Sequence, residues 1–308
     1  MLVTDLYYSD KFVLAKGGID TTRKAAWIAD SLTKRPLPHV RIVPPSPVTD
    51  AAVLRVHSQA YLGALRTGEP LAIATSSTLA WDSGTLAMAL SVCGGIMEAG
   101  KAALRDGVGG TLASGLHHAK RDRGAGFCTL NGLAIAAHTL ADATNGHILI
   151  LDLDAHCGGG THSLIQAHPR LWQMDVSVSA YDDYRPGKRC LKEIVSVAPA
   201  YLRKIGCGLQ WAEAEWPQFA LCLYNAGMDV HQDCQIGGLS GMDDFLITLR
   251  EEMVFQWCRE RGIPVAYAMA GGYTGGKMTR KQLVELHRLT IAAASIAVQS
   301  LEDLVVSP

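Results

Sequence analysis

The sequence predicts an α/β fold: a single domain with a central, mostly parallel β-sheet flanked by helices on both faces. Two observations carry this. Short apolar runs recur along the chain without strict polar alternation, the pattern of strands buried on both faces. Most of these runs are followed by glycine and then by a stretch with helical spacing, and strands that alternate with helices build a parallel sheet. A third observation sets the domain count. The 308 residues show no repeat, no low-complexity tract and no linker-like shift in composition, so one continuous domain is the simplest organisation.

The elements follow in order. TTRKAAWIADSLTK (21–34) has helical spacing behind a Thr pair able to cap it. The Pro-rich stretch from Pro36 to Pro47 reads as a loop. Residues 49–66 read as a helix that starts Thr-Asp and ends before Gly68. The Ala-rich stretch 76–104 reads as one or two buried helices, because its apolar residues surround the axis. The strands are TLAS (111–114), HILILDL (147–153), WQMDVSV (172–178), FALCLY (219–224) and PVAYAM (264–269).

Composition narrows the function. Lys and Arg number 28 against 29 Asp and Glu, a net charge of -1, which argues against a nucleic-acid clamp with its basic face. Hydrophobic residues at 48% and charged residues at 19% exclude disorder as the main state. The eight cysteines form no CxxC pair, and several lie in apolar runs, where a free thiol packs as a small hydrophobe. The first residues, MLVTDLYYSDKFVL, lack a signal-peptide pattern, and no run approaches the ~18 apolar residues of a membrane span. The expectation is a reduced, cytoplasmic protein without a membrane span. The oligomeric state is not legible.

In open α/β sheets, ligands bind beyond the carboxyl ends of the strands. After TLAS come His117 and His118; after HILILDL, Asp154-Ala155-His156; after FALCLY, NAGMD ending at Asp229; after PVAYAM, AGGY ending at Tyr273. Asp154 and His156 are two apart on an extended segment, so their side chains point the same way. With Asp229 they make three N/O ligands and an open position, the pattern of a catalytic zinc rather than a closed structural one. Asp152 lies on the same side as Asp154 and is placed to orient one imidazole. Tyr273, after two glycines, is placed to offer its phenol to a developing oxyanion.

Together GLHHAKRDRGAGFCTLN, ILDLDAHCGGGTH, YNAGMD and AGGY resemble the zinc-dependent histone deacetylase family, in the same order and at similar spacing. GGLS and EEMVFQWCRERGIPVAYAMAGGY look closest to the class IV deacetylases and their bacterial relatives. The resemblance implies an arginase/deacetylase-type α/β fold, one such catalytic domain over residues 1–308, and hydrolysis of an acylated lysine, in a peptide or protein, or of another acylated amine. It implies one catalytic zinc on Asp154, His156 and Asp229, with His117, His118, Asp152 and Tyr273 as catalytic residues. Gly126, Phe127, Ile236 and Gly271 would line the substrate site. A structural potassium would use Asp152, Asp154, His156, Ser177 and Val178.

Three departures stand out. Gly159 occupies the place where the family has Asn or Asp, so the expected partner of His118 is missing there. Cys157 beside a ligand would be an oxidation-sensitive or stray ligand. HQDCQIGG after Asp229 alters the substrate rim, and His231 in it reads as local structure. Two rivals remain at this level. A two-manganese arginase-like ureohydrolase would need further closely spaced Asp residues. A non-catalytic acyl-lysine binder would be marked by loss of the tyrosine or a ligand, and both are present.

Overall fold

The computed structural model describes residues 3–17 and 19–306, with 298–306 as backbone only. Its frame is one eight-stranded sheet: β1 (Thr4–Tyr7), β2 (Val40–Val43), β3 (Val108–Thr111), β4 (His147–Asp152), β5 (Leu171–Ser177), β6 (Cys190–Ile194), β7 (Phe219–Gly227) and β8 (Val265–Ala270). The order is β2-β1-β3-β8-β7-β4-β5-β6. Every pairing is parallel, a stricter outcome than a mostly parallel sheet.

Among the described residues, ten α-helices accompany the strands: α1 (Asp20–Lys34), α2 (Asp50–Val53), α3 (Gln59–Thr67), α4 (Leu71–Ala74), α5 (Thr85–Asp106), α6 (Gly132–Thr144), α7 (Gly159–Ile165), α8 (Ala198–Glu215), α9 (Asp244–Glu260) and α10 (Arg280–Val306). α5, α6 and α7 pack in one group, and α1, α8, α9 and α10 in another. α5 is long and apolar enough to cross a membrane, but 72% of that stretch is buried within the fold. It is the core helix that the all-round apolar pattern indicates.

Local chemistry moves several expected boundaries. The stretch 49–66 breaks into α2 and α3, because Ser58 starts a new helix by accepting from the Tyr61 amide. Residues 76–84 are not helical, and α5 begins at Thr85. The Pro36–Pro47 loop contains edge strand β2, half-exposed and therefore without an apolar signature. β3 lies three residues before TLAS, in VGGT. Its glycines are required by close approach: a Cβ on Gly109 would sit 2.3 Å from the Ala99 carbonyl, and one on Gly110 would sit 2.1 Å from the Tyr267 ring. Residues 112–114 are then free to leave the sheet toward His117.

The central strands β3, β8, β7 and β4 bring the ends at Thr111, Ala270, Gly227 and Asp152 side by side. Arg250 on α9 fixes two of them from below. It is fully buried beside Glu251 and donates from Nη1 to the carbonyls of Gly227 (2.6 Å) and Leu153 (3.3 Å). Tyr201 on α8 adds a second bond to the Leu153 carbonyl, at 2.9 Å. The backbone just before Asp154 and Asp229 is thus tied from inside the core.

Candidate active site

Asp154, His156 and Asp229 bring ligand atoms within 4.8 Å of one another. His156 Nδ1 stands 3.1 Å from Asp154 Oδ1 and 3.1 Å from Asp229 Oδ2. Backbone amides hold the carboxylates: Ala155 N–H donates to Asp229 Oδ1 (3.0 Å) and His156 N–H to Asp154 Oδ1 (3.0 Å). Asp229 Oδ2 is buried, and its contact with the His156 ring nitrogen at 3.1 Å is not a well-aligned hydrogen bond. Burial opposes charge on His156, but the adjacent carboxylates of Asp154 and Asp229 outweigh it and raise its pKa to about 11. Burial pushes Asp229 up, and the charge of Asp154 adds to it. Two buried carboxylates and one imidazole with ligand atoms this close form a site able to hold a cation. The described residues hold one such group of ligands, which does not favour a two-metal centre.

The histidine pair lies against this triad. His117 Nδ1 is 2.7 Å from Asp152 Oδ2. Asp152 in turn accepts from Asn225 Nδ2 at 2.8 Å and the Asp154 amide at 3.3 Å. Burial alone would keep His117 neutral, but Asp152 and Asp154 raise its pKa to about 10. The His118 ring centroid is 3.9 Å from that of His117. Burial and the neighbouring His117 charge lower the pKa of His118 to about 4. The environments of the two imidazoles push their pKa values apart, an arrangement able to supply an acid and a base.

His118 has a carboxylate partner after all, which corrects the reading of Gly159. Its Nδ1 is 3.1 Å from Asp182 Oδ2, on the loop between β5 and β6. Asp182 also pairs with Lys120 Nζ at 2.7 Å. Burial works to raise the Asp182 carboxyl, but the bonds from His118 and Lys120 hold it below the usual carboxylate range. A carboxylate only accepts, so the His118 proton sits on Nδ1 and Nε2 keeps its lone pair.

A cavity of about 230 Å³ opens over the site, lined by Thr78, His118, Gly126, Phe127, His156, Tyr181, Ile236 and Tyr273. Six of these eight positions were expected from the sequence. A deeper recess is bordered by His117, Asp154, Gly271 and Tyr273. The Tyr273 ring stands 6.0 Å from that of Phe127. Burial and the nearby Asp229 and Asp154 charges push its phenol well above the ordinary range, so the hydroxyl stays a donor. Of the remaining expected positions, Ser177 and Val178 lie at the end of β5, and Ser177 Oγ bonds Asp175.

The family model for the histone deacetylase domain matches residues 19–198. The chain belongs to the histone deacetylase family. It is 30% identical over 247 residues to histone deacetylase 2 of Arabidopsis thaliana, covering 75% of this chain and 63% of that protein. It is 31% identical over 202 residues to an uncharacterized protein of a Picosynechococcus strain, covering 63% of this chain and 66% of that one. This chain therefore spans just under two thirds of the length of these curated relatives. The fold matches the crystal structure of the HDA15 HD domain with a TM-score of 0.77 at 18% identity, covering 98% of this chain and 95% of that one.

Within this histone deacetylase-family site, Cys157 is not a ligand. Its thiol is buried, donates to the Ser179 carbonyl at 3.4 Å, and is raised to about 12 by burial and then Asp175. His231 is engaged locally, with Nε2 2.9 Å from Asp244 Oδ1. Sequence reasoning missed Asp182, Tyr181 and Lys24. Lys24 on α1 is fully buried and donates to the Gly271 carbonyl. Burial lowers its pKa to about 8 against the pull of Asp229 and Asp154. Its signal was present: Lys24, Ile28 and Leu32 share the i, i+4, i+8 stripe of the buried face.

Proposed function

We propose that this protein is a zinc-dependent deacylase that hydrolyses the amide of an acylated lysine, or of another acylated amine. The observation that supports it most is the convergence of an N/O ligand triad, two differently poised histidines and a raised-pKa tyrosine on one cavity. The donor set, two buried carboxylates and an imidazole within 4.8 Å of one another, fits one zinc held by Asp154, His156 and Asp229. When bound, zinc supplies Lewis-acid polarisation of the acyl carbonyl and activation of water.

The chain's own groups carry the rest. Phe127 and Tyr181 line the cavity and exclude water from the alkyl chain of the substrate. His118, neutral with Nε2 unprotonated, takes the proton of the attacking water. His117, kept as imidazolium by Asp152, stabilises the developing negative charge, and the pair returns a proton to the leaving amine. Tyr273 donates to the oxyanion. A structural potassium is proposed around Asp152, Asp154, His156, Ser177 and Val178, as is a cytoplasmic location, and the absence of a nucleic-acid partner accords with the net charge of -1.

The carrier and acyl length are read by a panel. Zinc-loaded protein is given matched acyl lengths, from acetyl upward, on a lysine peptide and on a polyamine. Release of free amine from at least one acylated probe, lost on chelation, is the expected result. No turnover across the panel overturns the proposal.

A further inference from the structure

His118 serves as a base only if its proton is held on Nδ1, because an unanchored imidazole exchanges tautomers and rotates. The group that holds it here is not in the segment carrying the metal ligands. It comes from Asp182, 64 residues along the chain.

The carboxylate is built into place. The Asp182 side chain is 7% exposed. Its Oδ1 faces Lys120 Nζ at 2.7 Å, and its Oδ2 accepts from the Gly160 amide at 2.8 Å as well as from His118. Three donors therefore fix both oxygens. The backbone pays a local cost for this placement: Asp182 has φ +57, a left-handed conformation that non-glycine residues seldom adopt.

Gly159 completes the fit. A Cβ there would lie 2.2 Å from the Asp182 carbonyl oxygen and 2.9 Å from its carboxyl carbon. The absent side chain at 159 and the carboxylate at 182 occupy the same space. Tyr181, the adjacent residue, lines the cavity with its ring edge-on to His118 at 5.0 Å and to His156 at 5.8 Å. One turn thus supplies both a wall of the substrate cavity and the partner of a histidine beneath it.

We propose that Asp182 is the positioning residue for His118, delivered from the β5–β6 loop into space left by Gly159. The proposal rests on the hydrolase reading of the site, and its test separates the two. One arm is kinetic, on zinc-loaded protein with an acetyl-lysine peptide. Asp182→Ala is expected to lower kcat about 10–100-fold with KM changed less than about twofold. Asp182→Asn, which keeps the shape of the turn and an acceptor for Nδ1, recovers part of the loss. In a His118→Ala background, Asp182→Ala adds no further loss, because its effect runs through that ring. An unchanged kcat, or a full extra loss in that background, overturns the proposal.

The other arm does not need turnover. Nitrogen NMR of ¹⁵N-histidine-labelled protein reads which His118 nitrogen carries the proton. The native ring is expected to be protonated at Nδ1, and Asp182→Ala to shift that proton toward Nε2. An unchanged ring signal overturns the assignment. If the native protein hydrolyses no acylated probe, the hydrolase reading fails while the ring signal still decides the role of Asp182.

Discussion

Replacing Tyr273 by Phe removes one hydroxyl and nothing else. The ring still packs 6.0 Å from Phe127 and still lines the cavity, so stability and metal content should hold. Burial and then the Asp229 and Asp154 charges push the phenol above its ordinary range, which keeps it a donor near neutral pH. If it donates to the oxyanion, its loss removes a hydrogen bond that strengthens only in the transition state. Such donors contribute about 2.7–4 kcal/mol, or about 10²–10³ in kcat. The assay is kcat and KM on the best acylated probe, beside a thermal melt and a zinc determination on the same sample. The reasoning requires a fall in kcat of at least about 10² with a melt and metal content like those of the parent. A variant within about twofold of the parent in kcat refutes the oxyanion role.

Other outcomes follow from the same geometry. In chelator-treated protein, stability should peak near pH 6.5 with respect to the histidine pair. His117, raised to about 10, contributes stability that is full below 6.5 and is lost as pH rises toward 10, whereas His118, lowered to about 4, costs stability as pH falls from 6.5 toward 4. His117→Ala should flatten the alkaline side of a Tm–pH curve and His118→Ala the acid side; identical curves for both variants would contradict the split. Arg250→Met strands Glu251 and the carbonyls of Leu153 and Gly227, so urea unfolding should show a loss of about 3–5 kcal/mol. Gly159→Asp, which on the sequence alone restores a partner to His118, should instead lower both activity and Tm, because its Cβ meets the Asp182 carbonyl.

The fold was most legible where the chain is most buried. β4, β5, β7 and β8 announce themselves as apolar runs because both faces of the sheet are covered. β1 was hidden by Thr4 and Asp5, the latter buried and paired with Arg41 and Arg105. β2 and β6 are half-exposed edges. Asp154, His156, Asp229, the histidine pair and Tyr273 could be picked out as candidates because each follows an apolar run that reads as a strand. Asp182 was not, since its role depends on a loop folding back over a glycine 23 positions earlier. The one legible trace is the carboxylate pair that follows WQMDVSV, a strand end facing the same rim.

Zinc stoichiometry measured together with turnover tests the central claim most directly. Chelated protein is titrated with zinc while hydrolysis of an acylated lysine peptide is followed. One zinc on Asp154, His156 and Asp229 predicts activity that rises linearly to one equivalent and then stays level. It also predicts that Asp229→Asn, which keeps the shape but removes the charge, shifts the titration to much higher zinc. Activity independent of zinc, a requirement for two equivalents, or an unshifted titration in Asp229→Asn would contradict the account.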